Sequence, residues 1–205
     1  LDRVGDDWRI TDLPHGLILD RIEVSLTYRA FDIYFMNPEG SLLVPDPVYL
    51  PLNQAGSTTS LVQTLLDGPT RWLRPAVESM IPAGTSLVVD SVPNDNGVAR
   101  VDLSAEFFDA DVTEREQAAA QITTTLLELS STVTGVAITV EGSPLQLPSA
   151  PTVMTGETWE VYNSDELSPA LGGIFVRSGE VRRITDDGST PVAGPLGTGR
   201  FDLVD

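Results

Sequence analysis

Asn94-Asp95-Asn96-Gly97-Val98-Ala99-Arg100-Val101-Asp102-Leu103 is the stretch whose reading decides the fold. Asn-Gly supplies the positive φ values that a tight hairpin needs, so the turn joins two strands. In the returning strand, Val98 to Leu103, Val101 and Leu103 share one face, and Arg100 and Asp102 share the other. Downstream, Thr113-Glu114-Arg115-Glu116 reads as a capping box, the Thr113 hydroxyl and the Glu116 carboxylate each satisfying an orphan amide. The helix it opens carries Ala118, Ile122, Leu126 and Leu129 on one stripe. Gly135 ends the connection, Val136-Ala137-Ile138-Thr139-Val140 is a further strand, and Gly142 lies just past it.

Upstream, Phe31, Ile33 and Phe35 alternate with Asp32 and Tyr34, a half-buried strand ending at Asn37-Pro38-Glu39-Gly40. Leu42 to Leu52 returns as an extended segment whose Pro45, Pro47 and Pro51 suit an edge strand or an arm. Ser57 or Thr58 is placed to cap a helix bearing Leu61, Val62, Leu65 and Leu66, stopped by Gly68-Pro69. A short second helix is expected to hold Trp72, Leu73 and Val77. The turn Ile81-Pro82-Ala83-Gly84 then leads to a strand from Ser86 to Val92. The order β-β-α-α-β-β-α-β over residues 28–141 predicts an α+β, sandwich-like domain (28–145) with a mixed sheet packed by helices.

The flanks read differently. Residues 1–27 look like the C-terminal remnant of a preceding domain, with Trp8-Arg9-Ile10 and Gly16-Leu17-Ile18-Leu19 around the turn Leu13-Pro14-His15-Gly16. Residues 143–156 are a proline-rich connector, and 146–205 as a whole reads as connector plus the start of a following β domain. In it, Ile174 to Arg177 and Glu180 to Ile184 flank a Ser178-Gly179 hairpin turn. With no initiator Met and a polar opening, the chain reads as a piece of something longer.

Thirty acidic residues against twelve basic ones, all arginine, give a net charge of −18. Such a chain cannot assemble the basic face that nucleic acid or anionic lipid requires. With no cysteine and one histidine, thiolate chemistry and transition-metal sites are not expected, and no cofactor motif is present. No apolar run approaches the ~20 residues of a membrane span.

Four segments in order carry a family resemblance: Asp32-Ile33-Tyr34-Phe35, Leu65-Leu66-Asp67-Gly68-Pro69, Ile81-Pro82-Ala83-Gly84-Thr85, and Val101-Asp102-Leu103-Ser104. Together they resemble the GerMN domain of spore-germination proteins and of the actinobacterial LpqB lipoproteins. Trp8-Arg9-Ile10, Pro14-His15-Gly16-Leu17 and Leu43-Val44-Pro45-Asp46-Pro47 are similar to the flanks in the LpqB group. The resemblance implies an exported lipoprotein with a GerMN domain followed by a β-propeller. It also implies contact with the extracytoplasmic domain of a two-component sensor kinase of the MtrA–MtrB type. It implies no catalytic residue. A lipidated cysteine, most of the N-terminal domain and nearly all of a propeller are absent from these residues, so anchoring through a lipidated N-terminus is an expectation about the longer protein.

The candidate binding residues are Arg71, Trp72 and Arg74, directly after Gly68-Pro69. Two arginines around a tryptophan have the composition of an interaction hot spot. The competing and preferred expectation is that Trp72 plugs the core while the arginines pair with local acids. His15 reads as a turn residue. Asp186-Asp187-Gly188 and Asn94-Asp95-Asn96-Gly97 carry oxygen ligands but read as turns and lack the ligand spacing of a calcium loop. Glu106 and Asp109 are the most tempting carboxylate pair, and a solvated acidic surface is preferred over a glycosidase pair. The reading is therefore a non-enzymatic docking module. A cell-wall glycan or peptide binder or hydrolase, and a spacer holding a propeller, are the alternatives.

Overall fold

Strand β1 (Asp2–Val4) turns through Gly5, at φ 68°, into β2 (Asp7–Arg9), an antiparallel pair that includes the Trp8-Arg9 backbone. The computed structural model describes residues 2–9, 20, 24, 26–51, 56–163, 173–185, 188–192 and 195–199. Ile10 and the Leu13 to Leu19 stretch with His15 lie outside the described residues. The chain divides into two units, Leu1–Tyr162 and Asn163–Asp205.

Strand β3 (Tyr28–Met36) pairs antiparallel with β4 (Leu43–Pro51) along its whole length. Phe31, Ile33 and Phe35 face the core as their alternation requires. Each fully buried side chain of this size contributes roughly 1.5–3 kcal/mol. Pro45, Pro47 and Pro51 share one parity, opposite Tyr34, Asp32 and Tyr28. A proline cannot donate, so these are the non-hydrogen-bonded pairs, and all three missing donors lie on the strand edge away from β3. The prolines thus make β4 an edge strand, as expected.

The opposite edge of β3 is closed by side chains. Gln121 Nε2 donates to the Tyr34 carbonyl (3.0 Å), Thr125 Oγ1 accepts from the Tyr34 amide (3.0 Å), and Gln121 Oε1 accepts from the Met80 amide (2.7 Å). Met36 exchanges both backbone hydrogen bonds with Glu78. Gln121 and Thr125 are fully buried polar residues, and these bonds explain why they are tolerated there.

Helix α1 (Ser57–Leu66) buries Leu61, Val62 and Leu65 and ends at Gly68, φ 88°. Its N-cap is Gly56, not Ser57 or Thr58. The threonine hydroxyls are used at longer range: Thr58 Oγ1 donates to the Val92 carbonyl and Thr59 Oγ1 accepts from the Val92 amide. These bonds pull Val92 onto α1, while Val88 donates to Asp102 and Ser86 accepts from Ser104. Divided between two partners, Ser86 to Val92 forms only an isolated bridge, Leu87 with Leu103, where a strand was expected. The expected second helix is also absent. Residues 70–76 are successive hydrogen-bonded turns, because Pro75 lacks the donor that a helix would need.

Strand β5 (Asn94–Asp95) turns through Asn96 (φ 51°) and Gly97 (φ 87°) into β6 (Val98–Leu103). Helix α2 (Val112–Leu127) then crosses to β7 (Gly135–Val140), which runs parallel to β6. Short β8 (Ser143–Pro144) returns antiparallel, so the sheet β5-β6-β7-β8 is mixed. The box that caps α2 is Asp111 with Glu114, not Thr113 with Glu116: Asp111 Oδ1 accepts from the Glu114 amide, and Glu114 Oε2 accepts from the Asp111 amide. The spacing is the same, two residues earlier, and Glu116 instead accepts from the Ser149 amide. Ala118, Ile122 and Leu126 are buried as expected, but so are Ala119, Ala120, Thr123 and Thr125. Helix α2 packs against β3, β7 and α1 together, so little of its surface is left to water.

The proline-rich stretch after β8 is not a free connector. Leu145 donates to the Ile138 carbonyl, Met154 exchanges both backbone bonds with Val136, and Leu145, Met154 and Trp159 join the core. In the second unit, β9 (Ile174–Arg177), β10 (Glu180–Thr185) and β11 (Gly188–Pro191) form an antiparallel meander. Its first turn has Ser178 at φ 55° and Gly179 at φ 78°, the hairpin read from the sequence.

Candidate functional site

The turn after α1 is fastened by one buried carboxylate. Asp46, fully buried on β4, accepts from the Thr70 amide (2.7 Å) and from the Thr70 hydroxyl (2.8 Å). The Thr70 carbonyl then accepts from the amides of Leu73 (3.1 Å) and Arg74 (2.9 Å), which sets the phase of the turn. In that phase Leu73 and Val77 enter the core. Trp72 is left 66% exposed, with Arg71 and Arg74 exposed on either side.

This reverses the preferred expectation for the cluster. The core plug is Leu73, and Trp72 faces solvent. The ion pairs among the described residues are Arg3–Asp6, Arg100–Asp95 and Arg182–Glu180, and none involves Arg71 or Arg74. Arg74 Nη2 instead donates to the Pro69 carbonyl at 3.3 Å. Asp46 lies between Pro45 and Pro47, which are exposed, and Tyr49, of the same parity, is 65% exposed. The structure therefore anchors the turn that carries Arg71, Trp72 and Arg74 to the edge strand β4 through Asp46 and Thr70. Asp46 and Tyr49 escaped the sequence reading. The available signal was an aspartate between two prolines in an otherwise apolar strand.

The other residues singled out in the sequence have these surroundings. Glu106 is on the surface, and hydrogen bonds from Ser104 and from its own backbone amide hold its carboxyl below the usual value. A general acid needs the opposite shift. Beside it Phe107 is buried, whereas Phe108 is exposed with the Arg115 guanidinium 5.5 Å from its ring centre. In the Asn94 turn, Asn94 Nδ2 donates to the Thr132 carbonyl, and the Asp95 carboxylate accepts from Arg100 across the hairpin. Asp186 and Asp187 lie outside the described residues. Among the described residues no group of three or more His, Cys, Asp or Glu is placed to hold a metal ion, and no helix is long and apolar enough to cross a membrane.

The family described as "Germane: Sporulation and spore germination" matches residues 32–146, more than half of the chain. The chain belongs to the Germane family. Its α+β fold and the four GerMN-like segments agree with that membership. Among curated proteins it is similar to lipoprotein LpqB of Thermobifida fusca, 32% identical over 98% of this chain and 33% of that protein. It is similar also to lipoprotein LpqB of Rhodococcus opacus, 30% identical over 98% of this chain and 35% of that protein. The chain thus spans about a third of the length of these relatives. Among solved structures it is similar to the first GerMN domain of the sporulation protein GerM from Bacillus subtilis. That likeness has a TM-score of 0.48 and 20% identity, over 63% of this chain and 98% of that one.

Proposed function

We propose that this Germane-family chain is a non-enzymatic, extracytoplasmic interaction module of a lipoprotein. Its partner would be the extracytoplasmic domain of a two-component sensor kinase of the MtrA–MtrB type, met through Arg71, Trp72 and Arg74. The observation that carries the docking surface is the exposure of Trp72 between two arginines that form no ion pair among the described residues. The lipoprotein setting is supported by the relatives' names, and the kinase by the resemblance to the LpqB group. In the same reading the longer protein is anchored by a lipidated N-terminus and continues into a β-propeller.

The mechanism is a population shift. A docked module changes signalling only if it binds one kinase state better than the other. A tryptophan hot-spot contact made in one kinase state only contributes about 2 kcal/mol or more, roughly a thirtyfold preference for that state. That preference would move a kinase state populated at about 1% to about a quarter of the molecules. The Asp46–Thr70 bonds hold the turn in advance, so little ordering entropy remains to oppose docking.

The test is kinase autophosphorylation in reconstituted membranes with this chain added. The proposal expects a saturable change in rate that Trp72→Ala abolishes. A rate unmoved by saturating wild-type chain would refute it.

A further inference from the structure

Arg71 and Arg74 stand one hydrogen-bonded turn apart, three residues from each other, so they leave the turn on the same side. Trp72 is exposed next to them, and Leu73 takes the side that faces the core. The chain carries thirty acidic residues, yet no ion pair among the described residues reaches either guanidinium. The acids nearest in sequence, Asp67 and Glu78, are exposed, and Asp46 directs its carboxylate at Thr70. Arg74 gives one N–H to the Pro69 carbonyl, and the Arg71 guanidinium makes no hydrogen bond among the described residues. Each guanidinium offers five donors in a planar fork, so most of the donors at this turn are open.

The charge of this turn is opposite to that of the chain around it, which is −18 in all. At physiological salt, charges farther apart than about 8 Å are largely screened from one another. A group brought within that distance of the turn therefore meets two guanidiniums, and a group held farther off meets an acidic surface. This selects among anions. A flat anionic membrane extends over many such lengths and is repelled by the chain as a whole. A narrow protrusion bearing carboxylates reaches the turn alone.

We propose that the Trp72 turn recognises a protruding acidic segment of a protein partner, in which two carboxylates flank an apolar side chain. The carboxylates accept from the forks of Arg71 and Arg74, and the apolar side chain covers the Trp72 ring. This rests on the docking reading of the turn and names the chemistry that the partner must present. Arginine fits the role better than lysine would, because its fork meets a carboxylate through two parallel bonds. The acidic remainder of the chain adds a kinetic signature. In about 0.01 M salt the screening length is about 30 Å, so the whole surface repels the acidic segment; association quickens as salt rises toward about 0.15 M. A partner drawn by the acidic surface would associate more slowly over the same range.

The experiment is amide chemical-shift titration of the full chain, in about 0.15 M salt, with the capped peptide Glu-Leu-Glu. Capped Gln-Leu-Gln, capped Lys-Leu-Lys and phosphatidylglycerol vesicles are the comparisons. Saturable shifts are expected from Thr70 to Arg74 and at the Trp72 indole, with the glutamine peptide at least fivefold weaker and the lysine peptide silent there. Arg71→Gln and Arg74→Gln should each weaken binding about two- to fivefold, the usual range for exposed pairs. Arg71→Lys should restore only part of the loss. Equal binding of the glutamine peptide, shifts spread over other faces, or binding indifferent to both glutamine variants would overturn the proposal. Vesicle binding that the same variants abolish would assign the turn to lipid and would also overturn it. If the acidic peptide binds and the kinase's extracytoplasmic domain does not, the proposal stands and the kinase is the wrong partner. If the kinase domain binds the Arg71→Gln, Arg74→Gln double variant as well as wild type, the kinase stands and the proposal falls.

Discussion

Replacing Gln121 by methionine keeps the volume of a fully buried side chain and removes both of its polar atoms. Two backbone groups then lose their partners: the Tyr34 carbonyl, now 3.0 Å from Nε2, and the Met80 amide, now 2.7 Å from Oε1. An orphaned buried backbone group costs roughly 1–3 kcal/mol. Tyr34 is only half-buried, so its carbonyl recovers part of its hydration and falls at the low end of that range. Methionine returns some transfer energy. The net expectation is a loss of about 1–3 kcal/mol, a large share of the roughly 5–15 kcal/mol that holds a domain folded. The assay is urea denaturation, read as a lower midpoint with an unchanged slope. Thr125→Val removes the partner of the Tyr34 amide and should cost about 1–2 kcal/mol. The double variant should deviate from additivity, because both side chains hold one residue. A loss below about 0.5 kcal/mol in Gln121→Met would refute the claim that α2 seals the edge of β3 through hydrogen bonds.

The Trp72–Leu73 pair is opposed in stability: Leu73→Ala should cost about 2–4 kcal/mol by emptying a core position, and Trp72→Ala should stay within about 0.5 kcal/mol, both by chemical denaturation. The Tyr162 hydroxyl is pushed above its ordinary value, first by burial and then by the charge of Glu116. Its contribution is therefore complete below the unfolded value near 10 and is lost as pH rises beyond it, so Tyr162→Phe should lose less melting temperature than wild type between pH 9 and pH 11. Thr85→Val, which removes a buried hydroxyl without a partner, should raise stability by about 1 kcal/mol in urea.

The elements that were legible in the sequence are those whose signal is local. Asn96-Gly97 fixed its hairpin because the two positive φ values are a property of those two residues. Alternation in β3 and the apolar stripe of α2 placed Phe35, Ile122 and Leu126 in the core without reference to any neighbour. The errors share a different cause, since each turned on a partner distant in sequence. Thr58 looks like a capping residue until Val92, more than thirty positions away, takes its hydroxyl. Whether Trp72 or Leu73 enters the core depends on the phase of the turn, which Asp46 sets from another strand. Proline content made residues 143–156 read as linker, but Met154 pairs with Val136 across a backbone ladder that composition does not reveal. The candidate site was legible as a composition, two arginines about a tryptophan, and illegible as an exposure.

The docking claim is tested most directly by calorimetric titration of this chain with the isolated extracytoplasmic domain of the cognate sensor kinase. The account predicts micromolar or tighter binding that Trp72→Ala removes while leaving the fold intact, with Arg71→Ala and Arg74→Ala each weakening it. No heat at high concentration, or full binding by Trp72→Ala, would contradict it.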